Sequence, residues 1–298
     1  MTSTVTSDLD GAVCSDGAPS ARNLIVTVFG DVLAVVGPDT ETTVQALTAV
    51  LADFGVNERL VRTSLTRLVN EGLLVVRPEG RRSFYRIAPE AIDLFASADE
   101  RIYRGRPLPW DGSGTLVVLD GAESTPERRA ALRHELSALG LGVVAPNVMG
   151  SPIVAADAAA AAVASLGGFE QVLVTRSTPI TGSGLADQAG LARRCLALDD
   201  LEQAYCTLAD RLARFDDPSG LDGARAAKLR LLVVSTFRRL VLADPMLPAA
   251  LLPDDWAGDR ARREAGRLYT AASAAADRHL GGLLGVEVTT PPNRFSTI

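Results

Sequence analysis

The stretch of residues 44–72 most constrains the fold, because it reads as two amphipathic helices joined by a very short turn. The first helix, "VQALTAVLADF", has apolar residues at helical spacing and ends at Gly55. Only Val56 separates this glycine from Asn57, a favoured N-cap residue, and the second helix is terminated by Gly72. Two helices joined by a glycine-containing turn predict a helix-turn-helix.

The segments on either side extend this pattern. Apolar residues at spacings of three and four between positions 24 and 36 predict a helix that starts at Ala21 and ends at Gly37-Pro38. Its β-branched residues make a buried strand the competing interpretation. After the second helix come an apolar strand at 73–76, a turn at 78–80 and an alternating strand at 82–87. Three helices followed by a hairpin predict a winged helix.

The second helix of the pair has two chemically different faces. Its buried face is predicted to consist of Leu60, Val61, Leu65, Leu68 and Val69. Its outer face carries short polar and guanidinium groups: Arg59, Arg62, Thr63, Thr66, Arg67 and Asn70. Such side chains read base edges and phosphates in the major groove, so we expect DNA binding. The alternative is an ordinary solvated helix.

Charge is concentrated in this region. The chain has 30 Lys and Arg against 36 Asp and Glu, a net charge of −6, which argues against non-specific coating of nucleic acid. Residues 56–86 nevertheless hold seven arginines and three glutamates. Arg81 and Arg82 stand at the hairpin tip, with Arg86 further along the strand. Adjacent cations there favour an anionic partner, such as a DNA phosphate or the minor groove.

The rest of the chain predicts two further parts and an α+β fold class overall. After a Pro-rich linker, the order β-α-β-β-α-β predicts a ferredoxin-like unit, and residues from 185 onward are mostly helical. The predicted organisation is a disordered tail at 1–20, the winged helix-turn-helix at 21–106, a ferredoxin-like central (dimerisation) domain at 107–182, a helical C-terminal domain at 183–280 and a tail at 281–298.

Other kinds of function have weaker support in the sequence. His134 and His279 have no second ligand at metal-binding spacing, so we expect no metal. The glycine-rich "TGSGLADQAG" lacks the Lys-Ser/Thr of a phosphate loop and the chain has no Gly-x-Ser-x-Gly motif, so we expect no cofactor and no enzymatic activity. Asp120 ends a strand before a glycine; it is either a turn residue or the metal ligand of a ferredoxin-like nuclease. Three cysteines, no signal-peptide pattern and no membrane segment predict a cytoplasmic protein.

Five motifs resemble the phenylacetate-degradation repressors, the PaaX-like transcriptional regulators. They are "ARNLIVTVFGDVL", "LADFGVNERLVRTSLTRLVNEGLL", "GRRSFYRIAPEA", "RIYRGRPLPWDGSGTLVVLD" and "RRLVLADPMLPAALLPDDWAG", in the family's order. The resemblance spans residues 21–280. It implies a winged helix with its recognition helix at 57–71 and its wing at 77–87, a ferredoxin-like middle domain, and a homodimer on a palindromic operator in double-stranded DNA.

The resemblance also implies a small-molecule effector. Members of the family repress catabolic genes for aromatic acids and release DNA when an aryl-acetyl-CoA or related acyl-CoA thioester binds. Candidate contacts are cations and aromatic residues near the predicted domain junctions, because arginines suit the phosphates of coenzyme A. These are Tyr103, Arg104, Arg106, Trp110, Arg238, Arg239 and Trp256. Alternatively, the paired arginines form ion pairs and the last tryptophan lies in a core.

Overall fold

The chain forms two compact units of mixed helix and sheet, which confirms the predicted α+β class. The computed structural model describes residues 13, 19–105, 110–119, 125–167, 172–178, 189, 192–193, 196, 198–215 and 218–295. The first unit comprises residues 1–106, 204–243 and 257–298, and the second comprises residues 107–203 and 244–256.

The first helix, α1, contains a widened turn. It starts as an α-helix at Ala21–Thr27, continues as a π-helix at Val28–Leu33 and ends in the turn Ala34–Val36. The helix prediction is therefore confirmed, and the competing strand is wrong. Ser20 caps the start, accepting a hydrogen bond from the Asn23 amide. Two carbonyls of the π-helical segment accept hydrogen bonds from distant side chains, that of Gly30 from Arg294 and that of Asp31 from Arg230 and Arg294.

The helix pair and hairpin follow as expected from their capping and turn residues. They are α2 (Val44–Leu51), α3 (Glu58–Asn70), β2 (Leu74–Glu79) and β3 (Arg82–Ile87). A two-residue strand, β1 (Thr42–Thr43), pairs with the outer edge of β3, giving an antiparallel sheet in the order β1-β3-β2. Thr43 also caps α2, accepting a hydrogen bond from the Ala46 amide at 3.2 Å.

The hairpin turn lies further along the chain than predicted. Glu79 pairs directly with Arg82, so the turn consists of Gly80 and Arg81 rather than residues 78–80. Gly80 has a φ of 58°, a left-handed conformation that glycine adopts without strain. The shift places the Arg81 and Arg82 side chains at the end of the hairpin.

The hairpin leads into a helical segment that packs against the later helices. A short 3-10 turn at Pro89–Ala91 precedes α4 (Ile92–Asp99), which continues as a π-helix over Glu100–Arg104. Arg262 crosses the end of this segment and donates hydrogen bonds to the carbonyls of Ile102 (2.7 Å) and Arg101 (2.9 Å). Gly105 permits this approach, since a Cβ there would lie 2.6 Å from the guanidinium carbon.

The second unit is one antiparallel sheet covered by two helices. Its order along the chain is β4 (Gly114–Val118), α5 (Pro126–Leu139), β5 (Gly142–Ala145), β6 (Val148–Ser151), α6 (Ala156–Leu166) and β7 (Leu173–Ser177). In the sheet the strands run β5-β6-β4-β7. Val117, Met149 and Leu136 lie in the core between sheet and helices. Thr125 caps α5 and Pro126 opens it.

Three long helices complete the predicted helical region: α7 (Leu198–Leu212), α8 (Gly223–Ala243) and α9 (Ala257–Leu284). The part of α7 from Ala204 groups with α8, α9 and residues 1–106 in the first unit. The predicted boundary at residue 183 stays a prediction. Within the described ranges, no helix is both long and apolar enough to cross a bilayer.

Residues 282–295 pack within the first unit. We expected a tail there, yet Phe295 is only 8% exposed. Its ring centroid lies 5.0 Å from that of Tyr103, 5.0 Å from that of Tyr269 and 5.9 Å from that of Phe237. Contacts of this kind bring aromatic edges and faces together. The C-terminal segment is thus part of the core of the unit.

Candidate nucleic-acid interface

The candidate interface is built on α3, whose inner side packs into the protein through a stripe of apolar residues. Val61, Leu65 and Leu68 are fully buried. Asn57 caps the helix, accepting a hydrogen bond from the Leu60 amide at 3.0 Å. The prediction that Leu60 belongs to the buried stripe is wrong, because its side chain is 48% exposed. Leu60 precedes Val61 by about 100° around the helix, which turns it toward the solvent side.

All six polar positions predicted for the outer face of α3 are exposed. They are Arg59, Arg62, Thr63, Thr66, Arg67 and Asn70. The hydroxyl of Thr63 donates to the Arg59 carbonyl at 2.9 Å, and that of Thr66 donates to the Arg62 carbonyl at 3.0 Å. Their hydrogens are thus used within the helix. Each hydroxyl oxygen still faces solvent as an acceptor.

The arginines of α3 differ in their partners. Arg62 Nε donates to Glu58 at 2.9 Å, one helical turn earlier, in an exposed ion pair. Arg59 and Arg67 have no acidic side chain at ion-pair distance within the described part of the chain. An incoming anion therefore meets two uncompensated guanidinium groups, while it competes with Glu58 for Arg62.

The hairpin presents a second cationic point. Arg81 and Arg82 are exposed at its end, and the described residues place no carboxylate at ion-pair distance from either. Arg86, the third predicted contact, is different. Its side chain is 29% exposed and donates to Asp39 at 3.1 Å. Arg86 thus connects the hairpin to the loop before β1.

A second ion-pair group reinforces this connection. Arg77 on β2 donates to Glu41 with Nε at 2.9 Å and also pairs with Glu79. Its guanidinium carbon lies 4.8 Å from the centroid of the Phe84 ring. The hydrogen bond from Arg77 lowers the pKa of Glu41. The hairpin is therefore attached to residues 39–43 both by strand pairing and by charge.

The candidate effector residues fall into different environments. Tyr103 is 2% exposed and belongs to the core of the first unit, and Arg238 is half-buried beside it in a small cavity of about 30 Å³. Burial lowers the pKa of Arg238. Arg104 and Arg239 are exposed on the same unit. Tyr103 and Arg238 thus line the same cavity.

The remaining candidates lie elsewhere. In the second unit, Trp110 Nε1 donates to the Ser113 carbonyl at 2.7 Å, and Trp256 is 5% exposed, in agreement with the alternative of a core tryptophan. Arg106 and Asp120 fall outside the described residues. Where the structure describes the chain, no three His, Cys, Asp or Glu side chains come close enough to share a metal ion.

Sequence analysis missed a buried polar cluster centred on Asp31. Both tyrosine hydroxyls, of Tyr103 at 2.5 Å and Tyr269 at 2.9 Å, donate to Asp31 Oδ1. Arg230 Nε donates to Oδ2 at 2.6 Å. Burial alone would raise the pKa of Asp31, but the charges of Arg230 and Arg294 and the hydrogen bonds outweigh it and lower that pKa. The available signal was an acid inside a long apolar run.

Comparison with known proteins covers nearly the whole chain. Three family models match: "PaaX-like protein" over residues 20–91, "PaaX protein central Cas2-like domain" over residues 107–189 and "PaaX-like protein C-terminal domain" over residues 196–282. Among solved structures, the uncharacterized protein Rv0674 from Mycobacterium tuberculosis has a similar fold. Its TM-score is 0.55 at 24% identity, covering 87% of this chain and 98% of that one.

A curated relative gives the same result. The transcriptional repressor PaaX of Escherichia coli (strain K12) is 32% identical over 263 residues, which cover 86% of this chain and 82% of the relative. The three matching models occur in one chain in the order of its N-terminal, central and C-terminal parts. The chain belongs to the PaaX-like protein family.

Proposed function

We propose that this protein is a DNA-binding transcriptional repressor of a catabolic operon, with α3 as recognition helix and the β2–β3 hairpin as the wing of a winged helix. The observation that carries the proposal is the set of uncompensated cations on two adjacent elements, Arg59 and Arg67 on α3 with Arg81 and Arg82 on the hairpin. The similarity to a protein named a transcriptional repressor supports it.

The helix has dimensions and chemistry suited to the major groove. Its 13 residues span about 20 Å, and the groove is about 12 Å wide. Arginine bridges guanine O6 and N7 with two parallel hydrogen bonds, and Asn70 is able to pair with adenine in the same manner. The hydroxyl oxygens of Thr63 and Thr66 are acceptors for cytosine amino groups. Leu60, exposed beside these groups, offers an apolar surface to a thymine methyl.

The hairpin suits contact with the DNA backbone. Arg81 and Arg82 extend from a tight two-residue turn, which fixes where their charges stand relative to the sheet. Each phosphate neutralised by such a cation releases condensed counterions, so affinity falls as salt rises. Arg86 is held by Asp39 and serves to position the wing in this account.

We further propose a homodimer on a palindromic operator. The order β4-α5-β5-β6-α6-β7, with strands β5-β6-β4-β7 all antiparallel, fits a ferredoxin-like domain, and we assign dimerisation to this domain at residues 107–182. Residues 21–106 are the proposed DNA-binding domain, and residues 183–280 are the proposed helical domain. Two-fold symmetry would present two α3 helices to half-sites about one helical turn of DNA apart, or a multiple of it.

The proposed effector is an aryl-acetyl-CoA or related acyl-CoA thioester. To release DNA, the thioester must have a higher affinity for the conformation of the protein that does not bind the operator than for the conformation that binds it. The family membership supports a regulator without enzymatic activity, located in the cytoplasm with the DNA it binds. The nuclease alternative is not favoured, since the curated relative is named as a repressor.

Selection from random DNA duplexes tests the proposal. Full-length protein should enrich a palindromic sequence over several rounds, and sedimentation of the selected complex should show two chains per duplex. Adding Mg²⁺ or Mn²⁺ should leave the duplex intact. Absence of any enriched sequence would refute site-specific binding, and metal-dependent cleavage lost in Asp120→Ala would establish the nuclease instead.

A further inference from the structure

A cleft of about 910 Å³ opens in the first unit beside the proposed DNA-binding elements. It lies between the end of α1, the end of β3, helix α4 and residues 291–294. Its volume falls within the range of about 300–1,000 Å³ that small-molecule sites occupy. None of the apolar residues that line the cleft was predicted from the sequence to belong to a site.

The lining of the cleft is apolar on most sides and charged at one end. Val35, Ile87, Ile92 and Phe95 supply aliphatic and aromatic walls. Small side chains between them leave the space open, including those of Ala34 and Ala96. This arrangement suits a flat apolar group lying against the Phe95 ring.

The charged end combines both signs. It consists of Asp99, Glu100, Arg104 and Arg294. A group with hydrogen-bonding atoms, such as a carboxylate or a thioester with an amide-containing arm, finds both donors and acceptors there. A purely apolar ligand would leave these charges desolvated, which is costly. The cleft therefore matches a ligand with an apolar body and a polar head.

The wall formed by the C-terminal segment is firmly anchored. Arg294 donates to the carbonyls of Asp31 (3.0 Å) and Gly30 (3.2 Å) on the π-helical turn, and it pairs with Asp99 at 2.5 Å. Its guanidinium carbon lies 4.2 Å from the centroid of the Tyr103 ring. Pro291 and Pro292 add restricted φ angles to the same wall. The cleft is thus largely formed before a ligand enters.

The opposite wall is continuous with the attachment of the hairpin. Ile87 is the last residue of β3, and Pro38 immediately precedes Asp39, the ion-pair partner of Arg86. A ligand placed between Pro38 and Ile87 would press on the two segments that this ion pair joins. A small displacement at this point would change the direction in which the hairpin extends from the unit.

We propose that this cleft binds the acyl group of the effector, an aryl or similar apolar body with a polar head, and that its occupation shifts residues 38–41 and the hairpin. The regulatory half rests on the proposed function, because it needs DNA binding to be observed. The binding half takes the class of its ligand from the proposed function and the location of the site from the lining of the cleft, and it is measured without DNA. The two halves therefore have separate readouts.

Filling the cleft tests the binding half. Ala96→Phe places a ring in the cleft, and Ser97→Phe adds the same ring at the next exposed position of α4, which does not line it. Calorimetric titration of full-length protein would use phenylacetyl-CoA, phenylacetate and free coenzyme A as probes. Wild type and Ser97→Phe should bind phenylacetyl-CoA with affinities within about twofold, and Ala96→Phe should bind it at least about tenfold more weakly.

A second cleft-filling variant and a second ligand distinguish the possible results of this titration. Ala34→Phe fills the cleft from the opposite wall and should have the same effect as Ala96→Phe, with circular dichroism confirming that both variants are folded. Phenylacetate binding as tightly as its thioester would assign recognition to the acyl group alone. The binding half is overturned if neither phenylacetyl-CoA nor phenylacetate binds wild type, or if both filled variants bind as wild type does.

Operator release tests the regulatory half. Phenylacetyl-CoA should release a selected duplex from wild type and from Ser97→Phe, whereas Ala96→Phe should hold the duplex at the same ligand concentration. Retention of DNA by wild type saturated with the thioester would overturn this half. Binding of the probe in the cleft by a protein that selects no DNA would refute the proposed function and leave the binding half standing.

Discussion

Asp31 and Arg230 form a fully buried ion pair, with 2.6 Å between Oδ2 and Nε, although they are 199 residues apart in the sequence. Arg230 also donates to Asp277 at 2.6 Å and to Thr290 at 2.8 Å. One guanidinium therefore connects the π-helical turn of α1 with α9 and the C-terminal segment. This network holds the helical region against the proposed DNA-binding elements within the first unit.

Removing the charge of Asp31 should destabilise this unit strongly. Asp31→Asn leaves the buried Arg230 without its main counter-charge, and breaking a buried pair from one side costs about 3–5 kcal/mol. Urea unfolding followed by circular dichroism measures the loss of unfolding free energy. Arg230→Met combined with Asp31→Asn should cost less than the sum of the two single changes. A cost under about 1 kcal/mol for Asp31→Asn would contradict the role of the network.

The same carboxylate should contribute to acid unfolding. Its pKa is lowered in the folded protein, so the folded state binds this proton more weakly than the unfolded chain does. Its contribution is complete above the unfolded pKa of about 3.9 and is lost as pH falls through the lower folded pKa. Melting temperatures measured from about pH 6 downward should therefore fall less steeply below about pH 4 in Asp31→Asn than in wild type. Equal slopes would show that Asp31 does not titrate with a lowered pKa.

Two substitutions of Asn57 should separate helix stability from DNA binding. Asn57→Ala removes the cap of α3 and should cost about 1 kcal/mol of stability, with little effect on DNA affinity where the protein is folded. Asn57→Asp keeps a capping oxygen and suits the helix N-terminus, but it adds a negative charge at the proposed interface. It should weaken DNA binding at nearly unchanged melting temperature. Unchanged DNA affinity in Asn57→Asp would show that DNA does not approach the N-terminus of α3.

The hairpin arginines should determine part of the salt dependence of binding. Arg81→Ala with Arg82→Ala removes up to two phosphate contacts, each worth a slope of about 0.9 in log affinity against log salt. Anisotropy titrations at several salt concentrations on one duplex measure this slope. The slope should fall by about one to two. The double variant should also lose a similar factor of affinity for a second duplex of unrelated sequence, because phosphate contacts do not depend on sequence. An unchanged slope would show that the hairpin does not touch DNA.

The sequence was sufficient for elements whose causes are local. Asn57 and Gly72 mark the ends of α3 through their own backbone preferences, and apolar spacing placed the helices. The displaced hairpin turn and the assignment of Leu60 are local errors, whereas the other differences arise from contacts made at a distance. The threonines of β1 became a strand because β3 lies beside them. The packing of Phe295 depends on three rings from distant segments.

The candidate site also contains features with local causes and features that depend on distant contacts. The polar face of α3 was predictable, since helical periodicity alone determines which side chains share a face. The pairing of Arg62 with Glu58 follows from their spacing of four. The pairing of Arg86 with Asp39 does not, because it requires the hairpin to fold back toward the loop before β1. The Asp31 cluster likewise needs helices that lie some 200 residues further along the chain.

The claim that α3 is the recognition helix is tested most directly by the DNA affinity of a variant that lacks two arginines of this helix. Arg59→Ala with Arg67→Ala removes the two uncompensated cations of the helix, and Arg263→Ala with Arg278→Ala removes two exposed arginines of α9 as a matched control. Anisotropy on a selected operator should show binding weakened at least about tenfold in the first double variant, because each arginine that pairs with a base contributes about 1–3 kcal/mol. The control should stay within about twofold of wild type. Equal affinities for both double variants would contradict the assignment of α3 as the recognition helix.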